Sequence, residues 1–208
     1  DITLLAVETD REGINMSLIP TTIHDGRCEI IFDKVRVPQD NVVGEVGQGV
    51  TVLDYIDTYA TVLKAAEMSG GATAALGIVT DYARERHQFD KPIGSFQGIQ
   101  FPLAELLIEV EGLRNLVYQA GWLMNEGQPS KKLNAMVKAK ANETYYAVCY
   151  HGMVMHGAIG WTDEMDLGLY HLRTRALQFD GGETTDLREK IACELELEVP
   201  AFQALYGQ

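Results

Sequence analysis

The chain has 208 residues, 46% of them hydrophobic, which is enough to bury one ordinary core plus a small appendage and too apolar for a disordered segment. Seventeen basic against thirty acidic residues give a formal charge of −13 with no run of Lys or Arg, so nucleic acid and an anionic membrane surface are poor partners. The acidity favours solubility and still leaves room for a local basic site facing an anionic ligand. Cys28, Cys149 and Cys193 contain no CxxC pair and read as thiols in a reducing cytoplasm. No apolar run reaches the length of a membrane span, and no signal peptide opens the sequence.

Residues 1–47 read as the end of a β domain. Ile2–Val7, Cys28–Phe32 and Val35–Val37 are short β-branched or apolar runs, separated by turn signals at Glu12-Gly13, Ile23–Gly26 and Pro38–Asn41. So few strands do not make a stable sheet alone. The abrupt opening on Asp1 and a strand predicts an upstream portion of the protein. Gly44, Gly47 and Gly49 then form a linker, and residues 48–208 read as helical.

Four main helices are predicted, at about 50–86, 96–126, 130–156 and 163–197, the last interrupted between Leu177 and Thr185. On the first, Leu53, Ile56, Tyr59, Ala60, Leu63 and Ala66 recur at helical spacing. Its centre, Ser69-Gly70-Gly71-Ala72, is small enough to predict close approach of another helix or a ligand. The second helix places Leu103, Leu106, Leu107, Val110, Leu113, Val117, Ala120 and Met124 inward and ends at Gly127 and Pro129. Ser130 caps the third, whose inward positions are Leu133, Val137, Ala141, Tyr145 and Val148. The fold class is therefore mainly α: an up-and-down four-helix bundle preceded by the last strands of a truncated β domain.

The stretch Arg84–Gln97 between the first two helices carries the most chemistry. Arg86 offers a planar fork for a phosphate, Phe89 a face for a flat heterocycle, and Gln97 a donor and acceptor beside them. A solvated helix end with one buried Phe would use the same residues. The five histidines form no Glu-x-x-His pair, so no metal site is expected.

Arg86-x-x-Phe89-x-x-Pro92-Ile93-x-x-Phe96-Gln97 resembles the signature of the acyl-CoA dehydrogenase family. Three further stretches resemble the same family in the same order: Val35–Pro38 with Asn41–Gly44, Ala66–Met68 with Gly70-Gly71, and His156–Trp161. The resemblance implies the end of the family's middle β domain followed by its C-terminal helical domain. It implies FAD as cofactor, with Arg86, Gln88 and Phe89 on the adenosine diphosphate portion across a dimer interface. Gln97 would contact the same cofactor, and the backbone at Gly157 and Ala158 would approach the pyrophosphate in the partner subunit. It also implies an acyl-CoA substrate, a flavoprotein electron acceptor and a tetramer built as a dimer of dimers. This sequence departs from the family pattern at Asp90, where glycine is usual, at Val154, often glutamine, and at Ala158, usually a second glycine.

Members of that family abstract the substrate's α-proton with a glutamate on the loop after the fourth helix. Counting from Arg173 places Gly182 at that position, and counting back from Arg188 and Ile191 gives Gly181. Glu183 is the candidate base in the catalytic role, with Asp180 on the other side of the gap. Either carboxylate serves equally as a helix cap for the stretch from Thr185. The alternative base position on the first helix holds Ala60, with Asp57 and Tyr59 nearby. Three functions remain open: a dehydrogenase, a base-less partner subunit in a heteromeric dehydrogenase, and a helical oligomerisation module.

Overall fold

The computed structural model describes residues 1–23 and 25–195, so His24 of the Ile23–Gly26 turn and the expected helix end at Leu197 lie outside the described residues. The chain divides into two compact units between Thr58 and Tyr59.

In the first unit, β1 (Leu4–Leu5), β2 (Ile14–Leu18), β3 (Cys28–Phe32) and β4 (Val42–Val43) form two antiparallel ladders, β1 with β4 and β2 with β3. The second runs in register from Ile14 opposite Phe32 to Leu18 opposite Cys28. The opening segment is stitched to the Asn41–Gly49 segment by polar bonds. The Asn41 amide donates to Ala6 O at 2.7 Å, and Gly49 N donates to Ile2 O at 2.8 Å. Three strand expectations need correction. Only Leu4–Leu5 of Ile2–Val7 joins a ladder, with Ile2 in an isolated bridge to Gln48, Val35–Val37 forms no ladder, and Ile14–Leu18 is a strand that the turn signals around it concealed. Val35–Val37 sits between Lys34 at φ 52° and Pro38, and Arg36 O instead accepts from the Arg11 guanidinium at 2.7 Å. Leu18, Ile30, Ile31 and Phe32 are exposed, so nothing within this unit covers the β2–β3 ladder.

The helices are α1 (Gly49–Glu85), then, after the two-residue strands β5 (His87–Gln88) and β6 (Lys91–Pro92), α2 (Gln97–Asn125), α3 (Lys131–His156), α4 (Leu167–Phe179) and α5 (Thr184–Glu194). Their ends are set by chemistry visible in the sequence. Ser130 Oγ accepts from Leu133 N at 3.2 Å and caps α3. After α2, Gln128 N returns to Leu123 O and Gly127 N to Met124 O, the paired bonds of a Schellman stop. The interrupted fourth helix is α4 with α5, starting at Leu167 rather than near residue 163.

The core joins α1 (Val62, Ala65, Met68, Ala72, Ala75, Val79), α2 (Leu106, Val110, Leu113, Ala120), α3 (Val137, Ala141, Tyr145, Val148, Met153) and α4 (Leu167, Leu177). A second cluster packs Ala135 and Ala139 of α3 on Leu187 of α5. Helix α3 is thus buried on several faces, and an ion pair of Lys140 with Glu109 adds a polar tie to α2. The expected close approach at Gly71 is real: a Cβ there would lie 2.6 Å from the Tyr145 ring. The inward face of α1 differs from expectation, since Leu53, Ile56 and Leu63 are exposed and the buried stripe runs one position away through Val62, Ala65 and Met68. Alanines and glycines surround this helix, so apolar residues lie nearly all round and the pattern gives no phase. Leu107 of α2 is also outside, at 51% exposure. Among the described residues no helix is long and apolar enough to cross a membrane.

These exposures predict a contrast within one helix. Leu113→Ala, at a fully buried position, should lower the stability of this chain by about 2–5 kcal/mol in urea unfolding. Leu107→Ala should change it by less than about 0.5 kcal/mol.

Candidate functional site

The connection between α1 and α2 is a tight hairpin. Gln88 pairs with Lys91, leaving Phe89 and Asp90 as a two-residue loop with φ of 55° and 64°. Two successive positive φ values are what a type I′ hairpin requires, because its twist matches that of the strands. Asp tolerates this conformation; Phe adopts it at a cost of about 1–2 kcal/mol. The Asp90 position is therefore one where glycine would sit without strain. Phe89 is 85% exposed, and its ring meets Phe96 edge-on at 6.1 Å. The Lys91 ammonium lies 4.2 Å from the centre of the Phe96 ring. Arg86, Gln88 and Gln97 are exposed around this tip, and Arg86 makes no ion pair among the described residues. The hairpin is anchored by Ile93 N donating to Arg86 O at 2.7 Å.

The turn after α3 meets the same end of α1. His156 is buried, its Nδ1 donates to Gly152 O at 2.7 Å, and its ring stacks on Tyr82 at 4.0 Å. The Tyr82 hydroxyl donates to His156 O at 3.4 Å, while the buried His156 Nε2 has no hydrogen-bond partner among the described residues. Gly157 closes α3 at φ 68°, and no atom stands within 4 Å of where its Cβ would be. Gly157 and Ala158 are both exposed. The structure thus brings Arg86 and the Gly157–Ala158 turn to one end of the bundle through the Tyr82–His156 stack. It leaves open backbone at the turn and an unpaired guanidinium at the hairpin. That donor set suits a phosphate-bearing cofactor with a flat heterocycle.

The turn between α4 and α5 holds the candidate carboxylates. Asp180 follows the last residue of α4 and pairs with the Lys64 ammonium of α1 at 3.2 Å. Gly181 and Gly182 have φ of 82° and 112°, and a Cβ on Gly182 would stand 3.1 Å from Leu187 Cδ2. Residue 182 therefore combines a backbone that L side chains rarely adopt with tight packing. Glu183 occupies the residue before α5, exposed, and its side chain makes no capping hydrogen bond. Glu183 and Arg86, the catalytic and cofactor candidates, belong to separate connections, one after α4 and one after α1.

Sequence reasoning missed the groups behind this turn. Lys138 of α3 is fully buried and donates to Asn142 Oδ1 at 2.6 Å and to Leu177 O at 3.0 Å. Asn142 Nδ2 in turn donates to Gly182 O at 3.2 Å and to Thr184 Oγ1 at 3.3 Å. Burial above all, with the nearby Lys64 charge and against the pull of Asp180, pushes the Lys138 ammonium down to about 8. The available signal was an i, i+4 polar pair, Lys138 and Asn142, set within the inward stripe of α3. A separate open groove of about 520 Å³ is lined by Tyr145, Tyr170, Asp166 and the Arg173–Glu67 ion pair. Among the described residues no group of three His, Cys, Asp or Glu could hold a metal ion.

The sequence profile of the acyl-CoA dehydrogenase C-terminal domain matches residues 47–195. A probable acyl-CoA dehydrogenase of Bacillus subtilis, YngJ, is 32% identical over 203 residues, covering 94% of this chain and 52% of that protein. Butyryl-CoA dehydrogenase from Megasphaera elsdenii superposes with a TM-score of 0.88 at 26% identity, over 93% of this chain and 51% of that one. The ChsE4–ChsE5 complex from Mycobacterium tuberculosis contains a chain that superposes with a TM-score of 0.84 at 28% identity, over 96% and 53%. This chain spans about half the length of these relatives. With one domain profile over most of its residues and the same helical architecture, the chain belongs to the acyl-CoA dehydrogenase family.

Proposed function

We propose that this chain is the C-terminal portion of an FAD-dependent acyl-CoA dehydrogenase, which forms the α,β-double bond of an acyl-CoA thioester and passes electrons to a flavoprotein acceptor. Residues 1–47 would then end the middle β domain and residues 48–208 form the helical domain. The observation that carries the reading is the hairpin tip: an aromatic ring held in solvent by strained backbone, beside an unpaired guanidinium. An oligomerisation module alone requires neither. Arg86 would pair with a cofactor phosphate, Phe89 and Gln88 would flank the adenosine portion, and Gln97 would bond to the same molecule. The open backbone at Gly157 and Ala158 would approach the pyrophosphate of a partner subunit, in a dimer of dimers. When bound, FAD supplies the acceptor for the hydride leaving the β-carbon.

The α-proton requires a base, and Glu183 is the exposed carboxylate of the α4–α5 turn, with no ion pair or capping hydrogen bond among the described residues. A second reading has a specific support: the family's base position falls on Gly182, whose φ of 112° disfavours any side chain. The chain would then be a base-less subunit that binds cofactor beside a catalytic homologue, and the two-chain ChsE4–ChsE5 neighbour agrees with such an arrangement.

Flavin content tests the cofactor assignment. In the natural protein, Arg86→Gln combined with Phe89→Ala should purify with markedly less FAD per subunit, while its flavin-free form melts where flavin-free wild type does. Normal flavin content in that variant would remove the assignment. Turnover of an acyl-CoA panel tests the base. Glu183→Gln should lower turnover by about 10²–10⁴-fold if Glu183 removes the proton. In the base-less reading the wild-type homomer is already inactive and gains activity only with a homologue carrying the glutamate. Gly182→Glu should not restore activity, because the substituted residue would force the turn out of its φ of 112°; a fully active Gly182→Glu homomer would show the backbone argument to be wrong.

A further inference from the structure

We propose that Lys138 and Asn142 are positioning residues: a buried two-residue clamp on α3 that fixes the α4–α5 turn and thereby places its carboxylates. This deepens the proposed function and rests on that turn bordering the acyl-CoA.

The clamp grips both ends of the turn. Lys138 Nζ holds Leu177 O, a carbonyl in the last turn of α4, and Asn142 Nδ2 holds Gly182 O and Thr184 Oγ1 where α5 begins. The orientation of the amide follows from chemistry. An ammonium only donates, so Asn142 must offer its oxygen to Lys138, and its NH₂ then faces the turn. Between the two grips lie Asp180, Gly181, Gly182 and Glu183. A fully buried ammonium is costly unless its partners are fixed. The core alone does not explain it, since an apolar residue of similar length would fill the same space at no desolvation cost. The charged groups facing Lys138 are Lys64 from α1 and Asp180 from the turn, and these two pair with each other at 3.2 Å. A Cβ on Gly181 would stand 3.6 Å from both Lys138 Cε and Lys64 Cδ. Two helices, α1 and α3, therefore converge on the turn, and its backbone has little freedom to shift Asp180 or Glu183.

The discriminating variant is Asn142→Asp. Its carboxylate keeps an acceptor for Lys138 and so preserves the buried pair, and it accepts from the Thr184 hydroxyl in its turn, but it offers no donor to Gly182 O. Lys138→Met keeps most of the length of the side chain, removes the grip on Leu177 O and leaves the Asn142 amide without the ammonium that orients it. In the natural protein, amide hydrogen exchange over residues 180–184 should accelerate about tenfold in Asn142→Asp, the effect of one lost hydrogen bond. Flavin content and melting temperature should stay near wild type. In the same variant kcat with the best acyl-CoA should fall by about 10²-fold, as expected for a group displaced by an ångström, with KM little changed. Lys138→Met should reproduce both effects. Unchanged exchange in both variants overturns the clamp whatever the activity. Faster exchange with unchanged kcat overturns the positioning role. An inactive wild-type homomer overturns the dehydrogenase reading, and the clamp is then decided by exchange alone.

Discussion

Helix α3 lies buried against α2, α4 and α5, so a polar group it turns inward is costly unless it finds a partner inside the bundle. Most of its inward positions are apolar and simply fill space. Lys138 and Asn142 are different: placed one helical turn apart, they face the gap where α4 ends and α5 begins. A helix C-terminus leaves carbonyls without partners, and a helix start needs its first residues oriented. One ammonium and one amide meet both needs, which ties the shape of the turn to the identity of two residues on another helix.

The same burial explains which parts of the fold can be read from the sequence. On α3 and α2 the apolar stripe is bounded by polar residues, and the ends carry Ser130 and Gly127, so limits and phase are legible apart from Leu107, an apolar residue on the outer edge of the α2 stripe. On α1 small and apolar residues occur all round, and only packing against the Tyr145 ring and its neighbours decides that Val62, Ala65 and Met68 face inward while Leu63 does not. The strands were legible only where turns flank them cleanly. Ile14–Leu18 alternates as a strand should, but the turn at Glu12-Gly13 hid it, and Val35–Val37 has strand composition without a ladder to join.

The candidate site divides in the same way. Arg86, Phe89 and Gln97 could be singled out because their chemistry is carried by side-chain type at fixed spacing. The backbone that presents them could not. Nothing in Phe89-Asp90 announces two successive positive φ values, since neither residue is glycine, and it is the pairing of Gln88 with Lys91 that imposes them. Nor does sequence spacing disclose that Tyr82 stacks on His156, although this contact is what sets the Gly157–Ala158 turn beside the end of α1.

At the α4–α5 turn, sequence and backbone point the same way for different reasons. The count along the chain gives glycine where a carboxylate would be expected, and the backbone at that glycine is one in which a carboxylate-bearing residue would be strained. A simple loss of the side chain would have left ordinary φ values behind. The turn instead has two adjacent glycines at positive φ, held at Gly182 O by Asn142, with Asp180 drawn toward Lys64. The absence of a base at residue 182 is therefore built into the turn's shape. Of the two carboxylates that flank the glycines, Asp180 is engaged by a lysine while Glu183 faces solvent without a capping bond. That difference makes Glu183 the stronger candidate within the chain, and it makes a partner subunit's carboxylate the natural alternative.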